Sequence, residues 1–211
     1  MKKDLYLIGG GGHCRACIDV IEAVGQYRIL GIVDLPAKLQ EKNLGYTVLA
    51  TDQDLERLAR ENCGFLVTIG QIGSPALRMK AFSSLEKLGV FLPRIISPRA
   101  YVSAHSQIGE GTIVMHGATL NAAASVGVNC ILNTHSIVEH DAQIADHCHI
   151  STGVVINGEC RVGAHTFIGS NSVLAHGVSI AADVVVGAGS VVHRDITEAG
   201  VYVGNPCRRI R

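Results

Sequence analysis

The 211-residue sequence has no excess of charge of either sign and no long hydrophobic run. Lys plus Arg and Asp plus Glu number 18 each, so the charge does not favour binding to nucleic acid or to an anionic membrane. The apolar runs are far shorter than the roughly 20 residues that a membrane-spanning helix needs. Lys2 and Lys3 precede a strand-like run that meets glycines rather than a signal-peptide cleavage site. We therefore expect a cytoplasmic protein without nucleic-acid or membrane partners.

The seven cysteines are odd in number and scattered, which is not the pattern of a secreted disulfide framework. Cys14 and Cys17 have the spacing of a redox motif, but they lie in a glycine-rich segment for which phosphate binding is the better explanation. We therefore expect free thiols throughout the chain.

The first part of the chain, residues 1–92, alternates short apolar runs with amphipathic stretches. This pattern predicts strands at 4–8, 28–33 and 65–69 and helices at 13–24, 52–61 and 74–88. Strands that alternate with helices indicate a small parallel sheet, here a Rossmann-like α/β half-domain. Ligands of such sheets bind beyond the carboxyl ends of the strands. Those ends are the segment 9–13, Asp34 and Gly70-Gln71.

The second part, residues 93–211, repeats with a period of six. Every sixth residue from Ile96 is aliphatic, 17 times in succession. These residues are Ile96, Val102, Ile108, Val114, Leu120, Val126, Leu132, Val138, Ile144, Ile150, Ile156, Val162, Ile168, Leu174, Ile180, Val186 and Val192. A period of six matches neither an α-helix nor a plain strand. It indicates a parallel β-helix with three faces per 18-residue coil, in which the aliphatic residues point inward.

Two further features fit this three-sided β-helix, which we call the prism. Cys130 and Cys148 are 18 residues apart, so we expect them to stack inside neighbouring coils rather than to bind a metal. The tail 201–207 breaks the period and is expected to cap the open edge of the prism.

The repeat, the glycine segment 9–13 and three later motifs resemble the NeuD/PglD family of hexapeptide-repeat sugar acetyltransferases. The motifs are Asn133-Thr134, Glu139-His140-Asp141 and His149-Ile150-Ser151. The family includes nucleotide-amino-sugar N-acetyltransferases, such as the bacillosamine-pathway enzyme, and sialic-acid O-acetyltransferases. The resemblance covers essentially the whole chain. It implies a left-handed β-helix, acetyl-CoA as the co-substrate, no metal, and a homotrimer with the acetyl-CoA groove between neighbouring prisms.

The resemblance also implies the residues of the acetyl-transfer site. His140 matches the catalytic base, and Asp141 matches a carboxylate that raises the proton affinity of that base. His149 matches the residue that contacts the acetyl carbonyl of the thioester, where it would serve as an oxyanion donor. Ser170 and Ala188 fall where backbone groups line the pantetheine groove.

The substrate site follows from the same resemblance. Gly11, Gly12 and His13 match a loop near the phosphates of a nucleotide sugar, and Asp34 and Gly70 flank that loop. Asn133 is expected to bind the substrate as well. The chain departs from the amino-sugar enzymes at Leu35, where they tend to have a second acid, and at Gln71-Ile72, where they tend to have two asparagines. Sialate-type members commonly lack the histidines at positions 13 and 149, so this chain combines both patterns.

Each part of the site has an alternative interpretation. The glycine segment could be a dinucleotide fingerprint with Asp34 as the ribose acid, but Cys14 stands where the third glycine would be. It could also be a tight turn without a ligand. Four further histidines, His135, His147, His165 and His176, could suggest a metal site, although their spacing matches no ligand motif.

Four functions are compatible with these sequence features. N-acetylation of a nucleotide-linked amino sugar for surface-glycan synthesis is the leading hypothesis, and O-acetylation of a sialic or nonulosonic acid is the nearest alternative. The prism could instead be a non-catalytic scaffold that partners a sugar-biosynthesis enzyme. A γ-class carbonic anhydrase would need three zinc-binding histidines across a subunit interface.

Overall fold

The N-terminal half forms an α/β domain in the computed structural model, which describes residues 2–211. Its sheet has the order β3-β4-β2-β1-β5, in which all neighbours are parallel except the β3–β4 hairpin. The strands are β1 (Lys3–Ile8), β2 (Tyr27–Val33), β3 (Lys42–Asn43), β4 (Tyr46–Ala50) and β5 (Gly64–Val67). The helices are α1 (Gly12–Val24), α2 (Leu55–Leu58) and α3 (Ala76–Lys87), with 3₁₀ turns at Pro36–Lys38 and Asp52–Asp54.

Two elements differ from the sequence prediction. The helix predicted at 52–61 is a 3₁₀ turn followed by the four-residue α2, which buries only Leu55 and Leu58. The hairpin of β3 and β4 was not predicted, because β3 has just two polar residues and therefore no apolar alternation. Leu44 and Gly45 make the turn between them with positive φ angles of 46° and 88°.

The second half is a left-handed parallel β-helix with three flat faces, which we call faces I, II and III. Face I contains β7 (Tyr101–Val102), β10 (Thr119–Leu120), β13 (Ile137–Val138), β16 (Val155–Ile156), β19 (Val173–Leu174) and β22 (Val191–Val192). Face II contains β8 (Gln107–Ile108), β11 (Ser125–Val126), β14 (Gln143–Ile144), β17 (Arg161–Val162) and β20 (Ser179–Ile180). Face III contains β6 (Ile95–Ile96), β9 (Ile113–Val114), β12 (Ile131–Leu132), β15 (His149–Ile150), β18 (Phe167–Ile168), β21 (Val184–Val186), β23 (Gly200–Val203) and the antiparallel β24 (Arg208–Arg209).

The aliphatic residues of the six-residue period fill the interior of this prism. All of them from Val114 onward are buried, whereas Ile96, Val102 and Ile108 are only partly buried, because no coil lies beneath the first one. Every sixth residue from 111 to 189 lies at a corner with a positive φ. Nine of these corner residues are not glycine, so the stacked coils impose a backbone that L-residues rarely adopt. Asp141 is one of them, with φ of 61°.

The α/β domain packs on face III of the prism. The outward side chains of Ile95, Ile113 and Ile131 stack in one column and are buried together with α1. On the other side of the sheet, Phe82 of α3 packs in a second core with residues of β1 and β5. The spacing of 18 between the three isoleucines is the sequence signal for this covered face, since one coil has 18 residues.

Polar contacts also hold the domain on the prism. Nε2 of His116 on the prism lies 2.9 Å from Oδ2 of Asp19 on α1, and its Nδ1 lies 2.6 Å from Oγ of Ser97. The buried guanidinium of Arg78 on α3 donates to the backbone carbonyl of Asn129 at a prism corner.

Among residues 2–211, no helix is long and apolar enough to cross a membrane.

Candidate active site

The glycine loop connects β1 to α1 at the carboxyl edge of the sheet. Asp34 accepts a hydrogen bond from the Gly10 N–H at 2.7 Å, and Asn43 donates to the carbonyls of Gly10 at 2.7 Å and Gly11 at 3.3 Å. Gly11 and Gly12 are exposed, and within residues 2–211 no atom lies near the position that a Cβ on either would take. Hydrogen bonds with Asp34 and Asn43 therefore fix the backbone of this loop on one side, and its other side is exposed.

The first turn of α1 suits an anion. Within residues 2–211, this turn has no acidic residue and no side chain that caps the helix. Its first N–H groups therefore point into the open space over the loop. Free N–H groups and the positive end of the helix dipole attract phosphate.

Asp34 belongs to the support of this loop. Burial acts to raise the pKa of its carboxyl, but hydrogen bonds from the N–H groups of Leu35 and Gly10 and from the Lys38 ammonium lower the pKa overall. The ionised carboxylate thus holds the glycine loop and is largely occupied in doing so.

His13 and His149 face each other where the two domains meet. Their ring centroids are 6.1 Å apart, and Gly70 packs against the Cβ of His13. Burial is the main cause that lowers the pKa of His149 to about 3 and that of His13 to about 4, and the nearby Arg78 charge contributes to both shifts. Both imidazoles are therefore neutral at physiological pH.

The hydrogen bonds of His149 determine its tautomer. Its Nδ1 lies 2.7 Å from the backbone carbonyl of Gln71, which can only accept, so Nδ1 carries the proton. Nε2 then accepts from the side-chain amide of Asn133 at 3.2 Å. A neutral His149 has no second N–H for an oxyanion, and the expected donor role does not fit this tautomer. The amide of Asn133 is the N–H donor at this position.

The predicted cofactor residues lie along one edge of face III. His149 is on β15, and Ser170 and Ala188 occupy the corner between faces III and I in the next two coils. Oγ of Ser170 lies 2.9 Å from Oγ of Ser151, which follows His149 on the same strand edge. Small side chains at this corner leave room for an extended chain along the prism axis.

His140 and Asp141 lie elsewhere, at the corner between faces I and II. Nδ1 of His140 is 2.8 Å from Oδ2 of Asp141, and both side chains are 56% exposed. The hydrogen bond with Asp141 raises the pKa of His140 against an opposing effect of burial, and the charges of Asp141, Glu139 and Glu159 also raise it. Asn121 donates to Glu139 at 2.7 Å and fixes that carboxylate beside the base.

A single chain does not bring His140 and His149 together. They are nine residues apart, which is half of an 18-residue coil, so the corner that carries His140 lies opposite face III across the apolar core. The loop residues Gly11, Gly12, His13, Asp34 and Gly70 are on the face III side, as are the cofactor residues. The chain therefore carries two separate halves of the predicted site.

The remaining predicted histidines do not converge. His135 lies at the corner between faces III and I, His147 and His165 stack at the corner between faces II and III, and His176 lies at the corner of His140. Within residues 2–211 there is no group of three or more His, Cys, Asp or Glu side chains that could hold a metal ion.

Sequence reasoning missed Asn43 and the role of Gln71. Asn43 is on the unpredicted β3 and is buried under the glycine loop, and nothing in the local sequence indicates that contact. For Gln71 the sequence indicated a strand end and a departure from the amino-sugar enzymes, but no contact with His149 or His165. Its backbone carbonyl accepts from His149, and its side-chain amide donates to the His165 carbonyl at 3.0 Å.

Comparisons with known proteins agree with this architecture. Residues 4–85 match the model of the PglD N-terminal domain, and residues 159–194 match the bacterial transferase hexapeptide model of six repeats. A mutant of perosamine N-acetyltransferase from Caulobacter crescentus, solved with CoA and GDP-perosamine, has 32% identity and a TM-score of 0.92 over 99% of this chain and 97% of that chain. The chain belongs to the NeuD/PglD-like family of hexapeptide-repeat sugar acetyltransferases.

Two further structures show the extent of the similarity. The acetyltransferase domain of PglB from Neisseria gonorrhoeae, solved with acetyl coenzyme A, has 30% identity and a TM-score of 0.91 over 100% of both chains. WeeI from Acinetobacter baumannii has 22% identity and a TM-score of 0.81 over 98% of this chain and 99% of that chain, and it shares the fold. No curated protein sequence matches the chain. The predicted family, fold class and acyltransferase activity are confirmed, and the roles of the individual site residues stay predictions.

Proposed function

We propose that this enzyme transfers the acetyl group of acetyl-CoA to the amino group of a nucleotide-linked amino sugar. The observation that carries the proposal is the open glycine loop at the start of α1, which lies on the same side of the molecule as the predicted thioester residues. The full-length similarity to an N-acetyltransferase solved with CoA and GDP-perosamine supports both the donor and the class of acceptor.

The acceptor diphosphate would bind over Gly11 and Gly12. Two exposed glycines let phosphate oxygens approach the backbone N–H groups of the first turn, where the helix dipole adds to the attraction. His13 and Asn133 border the neighbouring space, where the sugar would lie between the loop and face III.

Acetyl-CoA fits the edge of face III that leads from His149 past Ser170 to Ala188. The small residues of that corner would hold the pantetheine arm, and the Asn133 amide would donate to the thioester carbonyl oxygen as negative charge develops on it. His149 is a positioning residue in this arrangement, since its Nε2 orients the Asn133 amide.

The base comes from a second copy of the chain. Because His140 lies opposite face III in its own prism, the site is complete only when the His140 corner of one protomer meets face III of its neighbour. A closed ring of three protomers would repeat this heterologous contact three times, so we propose a homotrimer.

The chemistry then follows from the two half-sites. The sugar amine attacks the thioester carbonyl carbon, the N–C bond forms and the C–S bond breaks. Nε2 of His140 accepts a proton from the amine nitrogen, and Asp141 holds the ring through Nδ1 and stabilises the imidazolium.

The test is acetyl-CoA consumption against a panel of UDP- and GDP-linked amino sugars and free sialic acids. We expect turnover with a nucleotide-linked amino sugar, and a His140→Ala variant with kcat lower by roughly 10²- to 10⁴-fold and little change in the KM of acetyl-CoA. The matched control is His105→Gln, an exposed histidine at the same type of corner two coils away. Turnover with sialic acids alone would indicate O-acetylation and contradict the proposal, and so would near-normal kcat in His140→Ala.

A further inference from the structure

A second histidine shares the corner of the proposed base. His176 is two coils beyond His140, so their backbone positions should be roughly 9.6 Å apart at strand spacing. Their ring centroids are nevertheless only 6.4 Å apart, because both rings lean over the residue between them, Gly158. A Cβ on Gly158 would lie 2.8 Å from Nε2 of His140 and 3.2 Å from Nδ1 of His176. The two nitrogens therefore border one opening that exists only because residue 158 is glycine.

Each of the two rings has a carboxylate near it. Nδ1 of His140 is 2.8 Å from Asp141, and Nε2 of His176 is 3.8 Å from Oε2 of Glu159. Asp141, His140, His176 and Glu159 thus form a cluster of proton-binding groups along the corner, with Glu159 next to Gly158 on the coil between the two histidines. The side chains of His176 and Glu159 are 63% and 62% exposed, so this part of the cluster is open to water.

The amine must lose two protons in this reaction. An aliphatic amine has an unperturbed pKa above roughly 7.7, so the acceptor arrives largely as an ammonium ion, which cannot attack a carbonyl. The balanced reaction converts the ammonium and acetyl-CoA into the amide, CoA thiol and one free proton. Two protons leave the nitrogen, one for the departing sulfur and one for solvent. A single imidazole must release the first proton before it can accept the second.

We propose that His176 is the proton relay of the base: it accepts the ammonium proton from Nε2 of His140, directly or through one water, and passes it to solvent beside Glu159. His140 is then neutral again when the attacking nitrogen loses its second proton, which it delivers to the sulfur of CoA. The proposal rests on the proposed N-acetyltransferase function, because acetylation of a hydroxyl group releases no net proton.

Carboxylates surround the pair of rings. They belong to Glu139, Asp141 and Glu159, and their negative charges favour a proton on His140. A second proton would place like charges on both rings. One proton can therefore occupy either ring, with a carboxylate beside it in each case.

The test uses the full-length wild-type enzyme and the variants His176→Ala, His176→Gln and Glu159→Gln, with His105→Gln as the control. Steady-state kinetics with the best amino sugar are measured in dilute buffer and with added imidazole. We expect kcat of both His176 variants to fall by roughly tenfold in dilute buffer, with both KM values within twofold of wild type. Glu159→Gln should lose less, and His105→Gln nothing. Added imidazole should restore kcat in His176→Ala and fail to do so in His140→Ala.

Three results would overturn the relay. The first is kcat of both His176 variants within twofold of wild type in dilute buffer. The second is a loss that imidazole does not reverse in a His176→Ala protein with normal thermal stability, which would indicate a structural role. The third is a loss confined to the KM of acetyl-CoA, which would indicate a cofactor contact. A wild-type enzyme without activity on any amino sugar would instead refute the proposed function, and the relay with it.

Discussion

Gly158 should be far more important for activity than for stability. The Cα hydrogen that an alanine methyl would replace points at the His140 ring, and that methyl would lie 2.7 Å from Cε1 and 2.8 Å from Nε2 of the ring. Since ordinary contact begins near 3.4 Å, the ring must move by roughly 0.6 to 0.7 Å. The nitrogen that must move is the one assigned to accept the proton.

The magnitude follows from that displacement. A misplacement of about 1 Å in a reacting group can cost about 10²-fold in rate, so we expect Gly158→Ala to lower kcat by roughly 10- to 100-fold. The free energy of unfolding should change by no more than ~1 kcal/mol. The His140 ring is half exposed and can swing outward, Gly158 has an ordinary backbone conformation, and alanine lowers the entropy of the unfolded chain.

The assay compares kcat with urea unfolding for Gly158→Ala, the wild type and Gly73→Ala. Gly73 is an exposed glycine without a positive φ, and among the residues that the structure describes no atom lies within 4 Å of its added Cβ, so its variant should match the wild type in both measurements. Unchanged kcat in Gly158→Ala would refute the placement of His140 over this glycine. A loss of activity accompanied by a loss of several kcal/mol in stability would show that Gly158 serves the fold and not the base.

Two further predictions concern the base and the assembly. Asp141→Asn removes the group that raises the pKa of His140, so the imidazole stays neutral to lower pH. The acidic limb of the kcat profile should therefore move to lower pH, and the plateau of kcat should be lower because the base is weaker. An acidic limb that does not move would remove Asp141 from the mechanism. His140→Ala and His149→Ala should each be nearly inactive. After joint refolding in equal amounts, about a quarter of all sites would pair two intact half-sites, so activity should recover to roughly a quarter of wild type. No recovery from two folded variants would refute a site shared between protomers.

The six-residue period predicts more of this structure than any motif does. Aliphatic side chains can repeat at this interval only if the chain turns a corner every six residues, so the three faces and the inward residues follow from the sequence. The spacing of nine between His140 and His149 is half of an 18-residue coil, and the buried outward column Ile95, Ile113 and Ile131 follows the full 18-residue spacing. The alternation of strands and helices similarly predicts the parallel sheet and the exposed glycine loop.

The tertiary structure alone determines which groups of the site still have an N–H available to donate a hydrogen bond. The tautomer of His149 depends on a carbonyl 78 residues away in the chain, and the glycine loop is held by Asn43, which lies on a strand too short to show a pattern. The approach of His176 to His140 depends on the stacking of coils and on the absence of a side chain between them. A periodic pattern in the sequence shows where the backbone turns, because the buried positions repeat along the chain at the same interval. Hydrogen-bond partners and proton positions depend on contacts between distant residues, which leave no periodic signal in the sequence.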